Sequence, residues 1–330
     1  MAVRLVASQL TDGNTNVEQT KNALVMNTQN NNIKVLVAYH RVDFDGLASY
    51  CNARSHFEHI GAKVEGFGYN YFDTVEMPDW SKYDKIVLVD ISLPIDIMKE
   101  LHDKYFDKVI WVDHHITAIQ NSEANGYSDL NGIRDISAAA CILSFKYFFP
   151  NEVVPYALCL LGANDIWDQK SYDWEEEVQP FQLGLNNLVG MNADRLWHHW
   201  YDVQHNADEL IEQGKSIKSY IEAQQKSWVE RFAFEVEVDG HLKGIAMLCP
   251  MFSSRVFKSV IDGYDVCIIA ERNNKLPDTF NVSMYMENTD IDFSCGQYMK
   301  DHYEGGGHKN AAGGKLNIEQ FNRLIIECKI

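Results

Sequence analysis

Eight side chains in the first half of the chain are of types that bind divalent cations or move protons: His40, Asp43, Asp45, Asp90, Asp113, His114, His115 and Asp165. They fall in short runs: His40-x-x-Asp43-x-Asp45-Gly46, a lone Asp90, the triplet Asp113-His114-His115, and Asn164-Asp165. Hard oxygen donors with a few imidazoles, and no thiolate close in sequence, favour Mn2+ or Mg2+ over a structural zinc site. Carboxylates gathered in one place repel and raise one another's pKa unless cations neutralise them, so the grouping itself calls for metal. Two ions roughly 3.5–4 Å apart, sharing a carboxylate, would polarise a phosphoryl oxygen and lower the pKa of a bound water toward about 7. Singly, an Asp after a strand reads as a turn former or helix cap; only the conjunction points to chemistry.

The runs follow apolar stretches with strand composition, Ile33 to His40, Lys85 to Asp90 and Val109 to Val112, with a fourth strand expected at Lys63 to Phe67. Helical patterns at Leu47 to Ile60 and Pro94 to Tyr105 lie between them. Strands alternating with helices predict right-handed βαβ units, a parallel sheet, and a ligand site at the carboxyl ends of the strands. Three strands thereby deliver acid or imidazole groups to one rim. A helix is expected from Ser137, capped by Ser137 or Asp135, and another over Pro155 to Ala163, which carries Asn164-Asp165 at its end. Asp208 to Glu230 reads as a long polar helix bridging two lobes. From Phe232 the pattern alternates with period two, and further strands are expected at Lys243–Leu248, Tyr264–Glu271 and Phe280–Met286, with a short helix inside Asp290–Lys300. The predicted fold is therefore α/β. A parallel-sheet catalytic domain (33–200) is joined by a connecting helix (201–235) to a smaller mixed α/β substrate-binding domain (236–330). An N-terminal extension (1–32), with one helical stretch at Val17 to Leu24, is assigned no chemistry.

Composition narrows the ligand. The 29 basic and 47 acidic residues give a net charge of −18, of which residues 236–330 contribute only −3. The acidity is concentrated where the metals are expected, and it opposes gripping of long DNA or RNA. A small anion held through metal ions is compatible with it. Seven cysteines without a C-x-x-C pair suit free thiols in a reducing compartment, and the absence of an 18-residue apolar run or a signal-peptide pattern predicts a soluble, cytoplasmic protein without a membrane partner. A homodimer is left open.

Near the carboxyl end, Gly305-Gly306-Gly307-His308 opens a glycine-rich segment whose exposed N–H groups can form an anion nest, to which His308 adds a charge-assisted bond. Ser254 and Arg255 are candidates for a second phosphate or a base. His198-His199, between Trp197 and Trp200, reads as packing rather than a second metal site. Trp167, Trp174 and Trp197 read as core in preference to base-stacking surfaces.

Asp43-Phe44-Asp45-Gly46, Leu88-Val89-Asp90, Val112-Asp113-His114-His115 and Asn164-Asp165, in this order, resemble the DHH phosphoesterase family, and Gly305 to Gly313 is similar to the signature of its associated substrate-binding domain. The resemblance spans residues 33–330. It implies two Mn2+ ions, with Mg2+ as the alternative, and hydrolysis of phosphodiester or phosphomonoester bonds. It also implies His40, Asp43 and Asp90 on one ion and Asp45, Asp90, His114 and Asp165 on the other, with Asp90 as the bridge. His115 would face the substrate phosphate as donor or general acid, and Asp113 would orient an imidazole. Gly305, Gly306, Gly307, His308 and Arg255 would contact the substrate, a short oligonucleotide or small nucleotide. Three positions depart from the family pattern: His40 lies three residues before Asp43 rather than four, Glu304 stands where a first glycine is common, and Tyr285 stands where an arginine is common. The other readings are an exopolyphosphatase or pyrophosphatase, and a nucleotide-binding regulatory protein without turnover.

Overall fold

The computed structural model describes residues 33–326 apart from Phe72, 250–253, Pro277, 288–289 and Glu304. The expected helix at Val17 to Leu24 lies outside the described residues. The chain divides into two compact units between Lys215 and Ser216, inside the long helix.

In the first unit, strands β1 (Lys34–His40), β2 (Lys63–Tyr69), β3 (Lys85–Val89) and β4 (Val109–Val112) form an all-parallel sheet in the order β2-β1-β3-β4. Alternate residues of β1, β3 and β4 enter different cores. Val35, Val37, Val87, Val89, Ile110 and Val112 join one cluster, and Leu36, Ala38, Ile86, Leu88, Val109 and Trp111 join the other. Both faces of the sheet are covered, which is why these strands read as unbroken apolar runs and not as alternation. On the first face lie α1 (Phe44–His59), α4 (Ala140–Phe148), α5 (Tyr156–Asp165) and α6 (Gln179–Val189); on the second lie α2 (Ile95–Tyr105) and α3 (Ile116–Asn125). Two short helices, α7 (Ala193–His198) and α8 (Trp200–His205), precede the long helix α9 (Ala207–Phe232).

Register sets the rim. Tyr39 pairs with Val89, and Val89 with Val112, so the next residue on each strand, His40, Asp90 and Asp113, stands in one row at the carboxyl edge.

The second unit holds a six-stranded mixed sheet, with β5 (Phe234–Val238), β6 (Leu242–Leu248), β7 (Val266–Arg272), β8 (Thr279–Tyr285), β9 (Gly306–Gly307) and β10 (Ala311–Asn317) in the order β5-β6-β7-β8-β10-β9. Only β6 and β7 pair in parallel. Helices α10 (Cys295–Tyr303) and α11 (Ile318–Ile326) complete it, and Met299 and Phe321 enter its core. Among the described residues no helix is long and apolar enough to cross a membrane, and the six described cysteines are free thiols.

Three local expectations are corrected. Helix α1 begins at Phe44 and not at Leu47, because Asp43 caps it by accepting from the Gly46 N–H at 2.9 Å; Asp45 and Gly46 therefore sit in its first turn. Helix α4 begins at Ala140, without a side-chain cap from its own flank, because Asp135 accepts from Ser137 N–H in the preceding turn. Helix α5 runs on to Asp165, two residues past the expected end at Ala163.

Helix α1 holds α4 by a buried polar clasp. Asn52, fully buried, donates to the Cys141 carbonyl at 2.9 Å and to Ser144 Oγ at 3.1 Å. Asn52→Leu keeps the branching and heavy-atom count and deletes both bonds, so urea unfolding should show a loss of about 1–3 kcal/mol, the range for stranding buried partners. An unchanged midpoint would mean the clasp contributes nothing.

Candidate active site

Each residue of the rim is positioned by its own element. His40 is the last residue of β1, with its Nδ1 2.5 Å from Asp43 Oδ2 and 3.7 Å from Asp90 Oδ2. Asp90 follows β3 in a left-handed conformation, φ 56°, which Asp and Asn tolerate better than other non-glycine residues. Its N–H donates to the Val112 carbonyl at 2.9 Å, and its side chain is buried.

Asp45 points inward from α1 and is buried. Its two oxygens accept from the N–H groups of Ala140 and Cys141, both at 2.8 Å. It therefore caps α4 from about a hundred residues upstream, and the positive end of that helix favours its charge.

Asp113 is fully buried. Its Oδ1 accepts from the His114 N–H (2.8 Å), the His115 N–H (3.1 Å) and His115 Nδ1 (2.8 Å), and its Oδ2 lies 3.3 Å from the Trp111 indole nitrogen. Its effect is to fix the His115 ring.

His114 Nε2 lies 3.3 Å from Asp90 Oδ1, 3.4 Å from Asp165 Oδ2 and 3.5 Å from Asp45 Oδ2. Three overlapping donor groups result: His40, Asp43 and Asp90; Asp45, His114 and Asp165; and Asp90, His114 and His115, with ligand atoms in each within 4.8 Å of one another. The structure thus brings all eight rim residues together.

The electrostatics ask for positive charge. Burial pushes the Asp45 carboxyl up, and the neighbouring Asp90 charge adds to it. Burial and then Asp45 raise Asp165 to about 7. Burial opposes charging of His40, but Asp43 and Asp90 outweigh it and lift the imidazole to about 10. His114, likewise opposed by burial, is raised to about 9 by Asp90, Asp45 and Asp165. Asp113 raises His115.

The residues present fit a divalent cation. Asp90 Oδ1 is buried without a hydrogen-bond partner, with His114 Nε2 at 3.3 Å and His115 Nδ1 at 3.8 Å. The donors are carboxylate oxygens and imidazole nitrogens, and the nearby Cys141 thiol is turned to the Leu158 carbonyl. That set suits Mn2+ or Mg2+.

Other expected site residues lie in the second unit. Gly306 and Gly307 pair with Gly313 and Ala312 in a hairpin, and the N–H groups of Gly305 and His308 donate to Met299 and Ala311. The glycine segment is thus built into a sheet edge, where at least two of its amides are already occupied. Glycine is required there because Gly307 adopts φ 151° and a Cβ would meet Ala311 O at 2.4 Å. The His308 side chain is exposed. Arg255 lies in a 3-10 turn, Ser254–Phe257, and its side chain is outside the described residues. His198 and His199 belong to no donor group among the described residues. Trp174 is buried, Trp197 packs under the Arg54 guanidinium at 4.4 Å, and Trp167 is exposed.

Sequence reasoning missed the α4 amides that hold Asp45. Ser137 and Asp135 offered a local cap just before Ala138-Ala139-Ala140-Cys141 and so hid the need for a distant one.

No family model matches the chain, and no curated protein matches it. Solved structures do. One is a pGpG-specific phosphodiesterase, PggH, from Vibrio cholrae, 12% identical, with a TM-score of 0.55 over 88% of this chain and 95% of that one. A DHH domain protein described as a member of the s1p family of ribosomal proteins is 13% identical, with a TM-score of 0.47 over 90% and 88%. RecJ from Thermus thermophilus, in complex with Mn2+, is 15% identical, with a TM-score of 0.44 over 88% and 50%. With its parallel four-stranded sheet, its separate mixed sheet and the Asp113-His114-His115 rim between strand and helix, the chain has the fold of the DHH phosphoesterases.

Proposed function

We propose that the chain is a metal-dependent phosphoesterase that hydrolyses phosphodiester or phosphomonoester bonds of short oligonucleotides or small nucleotides, with two Mn2+ ions as cofactors. The observation that carries this reading is the position of Asp90, whose carboxylate belongs both to the group with His40 and Asp43 and to the group with His114 and His115. One ion would be held by His40, Asp43 and Asp90, and the other by Asp45, His114 and Asp165, with Asp90 shared. When bound, such ions supply Lewis-acid polarisation of a phosphoryl oxygen and a water acidified toward neutrality.

The chain's own groups do the rest. Asp113 holds Nδ1 of His115 and favours the imidazolium, so that Nε2 can give a proton to the departing ester oxygen. The acidic first unit repels long polyanions and leaves short ones to be captured by the metals. The shared fold with a pGpG-specific phosphodiesterase supports a linear dinucleotide among the candidate substrates.

The test is incubation of the purified protein with Mn2+ and a panel of pGpG, short RNAs, phosphoadenosine phosphate, pyrophosphate and polyphosphate. Release of mononucleotide or phosphate that disappears on chelation is expected; no turnover across the panel would sink the proposal. Asp113→Asn should lower turnover by about 10- to 100-fold, the usual effect of removing a group that orients a site imidazole, while leaving the Mn2+-induced rise in unfolding temperature in place. Loss of the metal response in that variant would instead make Asp113 part of the metal site.

A further inference from the structure

Beside His115 the first unit has a cavity of about 380 Å3. Tyr71 forms one wall, with its ring 6.0 Å from the His115 ring, edge to face, and 5.6 Å from the His40 ring. Leu93 and Pro94, just before α2, supply aliphatic surface, and Ser92, Thr117 and Asn121 supply hydroxyl and amide groups. The cavity lies wholly within one unit. Its lining includes no carboxylate, although the rim beside it gathers five and residues 1–235 carry −15 of the charge. Its size is within the roughly 300–1,000 Å3 of small-molecule sites, and its make-up, mostly apolar with the rings of Tyr69 and Tyr71 and a few hydrogen-bonding groups, matches them.

We infer that this cavity is the nucleoside subsite: it receives the base and ribose of the group esterified to the phosphate on the His115 side. The inference rests on the proposed phosphoesterase reading and narrows it. A base presents two flat apolar faces and an edge of donors and acceptors. Tyr71 and the aliphatic residues suit the faces, and Ser92, Thr117 and Asn121 suit the edge. Beyond His115 the same lining offers no cationic group to a second phosphate, so a nucleotide ester is preferred over pyrophosphate or polyphosphate. His115 belongs both to the lining and to the rim, its Nδ1 3.8 Å from Asp90 Oδ1. A phosphate held at Asp90 therefore has its substituent within reach of the cavity.

The test fills the cavity from its exposed wall. Asn121 is a solvent-facing residue of α3, where a larger side chain does not disturb the core. Asn121→Trp should raise KM for a dinucleotide at least about tenfold, and Asn121→Ala, which leaves the volume open, should raise it only about two- to fivefold. Both variants should keep the parent's unfolding temperature and its rise with Mn2+. An unchanged KM in Asn121→Trp overturns the subsite while leaving the phosphoesterase reading intact. Should the parent turn over no substrate at all, that reading fails separately, and calorimetric titration with GMP and AMP in Mn2+ decides the subsite: binding that Asn121→Trp abolishes supports it, and equal binding by both proteins overturns it.

Discussion

Asp90→Asn is expected to remove the Mn2+-induced rise in unfolding temperature and to lower hydrolysis of the best panel substrate by at least about 10^3-fold. Charge stabilisation by such a site amounts to several kcal/mol, and each loss of about 1.4 kcal/mol costs a factor of ten. Asp90 serves both donor groups, so one substitution weakens both ion positions together. Asn is the informative replacement because the residue sits at φ 56°. Asn enters the left-handed region readily, whereas Ala would add roughly 1–2 kcal/mol of backbone strain and confuse a chemical effect with a folding one. The metal-free variant should melt within about 3 °C of the parent, a shift worth less than about 1 kcal/mol in a domain of this size. Retention of more than a tenth of the parent's activity, with the Mn2+ response intact, would remove Asp90 from its shared position.

Gly46→Ala should be as damaging, for a different reason. Gly46 lies in the first turn of α1, where helix propensity alone would make Ala the better residue by about 1 kcal/mol. A Cβ there would lie 2.0 Å from the His40 carbonyl oxygen and 2.8 Å from its carbonyl carbon. Backbone cannot rotate out of the way, so α1 must lift from the end of β1, and His40 and Asp43 must separate from Asp45. The clash outweighs the propensity, and the expected cost is about 3 kcal/mol or more, at or beyond the usual range for overpacking. Urea unfolding measures the loss, and the Mn2+ response should vanish with it. Gly126→Ala is the control. Gly126 ends α3 at φ 76° with nothing within 4 Å of its Cβ position, so only strain of roughly 1–2 kcal/mol is expected and the metal response should survive. Equal effects at the two glycines would refute the close-approach account of Gly46.

The glycine after Asp45 also shows what a motif encodes. His40, Asp43, Asp45 and Gly46 are close in sequence because the chain must turn from the end of β1 into α1 within three residues, and only a residue without a Cβ lets the helix start against the strand end. The spacing of this run therefore reports a local geometry. Asp43 as cap, His40 at the strand end and Gly46 at the contact all lie within one turn of one another, and local pattern suffices to read them.

Reading across elements required topology as well. Each of three apolar strands ends in a polar residue, and parallel pairing in the observed register brings those ends into one row. Their convergence followed from strand composition and the handedness of βαβ units, with no need to know any particular contact. Helix limits were less legible. The start of α4 was placed at Ser137 because Ser and Asp are good local caps, while the residue that accepts from its first N–H groups, Asp45, comes from α1.

What the sequence by itself determined is the α/β architecture, the order of the rim residues and the oxygen-and-imidazole character of the donor set. These depend on periodicity and residue type, which act over a few positions. Only the tertiary structure decided that Asp45 is held by the amides of Ala140 and Cys141, that Asp90 takes a left-handed backbone, that Gly306 and Gly307 are spent on a sheet edge, and that an uncharged cavity opens beside His115. Each of these depends on which distant segments meet. Burial makes those meetings binding, since an unpaired amide or carboxylate out of water costs several kcal/mol and must find its partner wherever the fold supplies one.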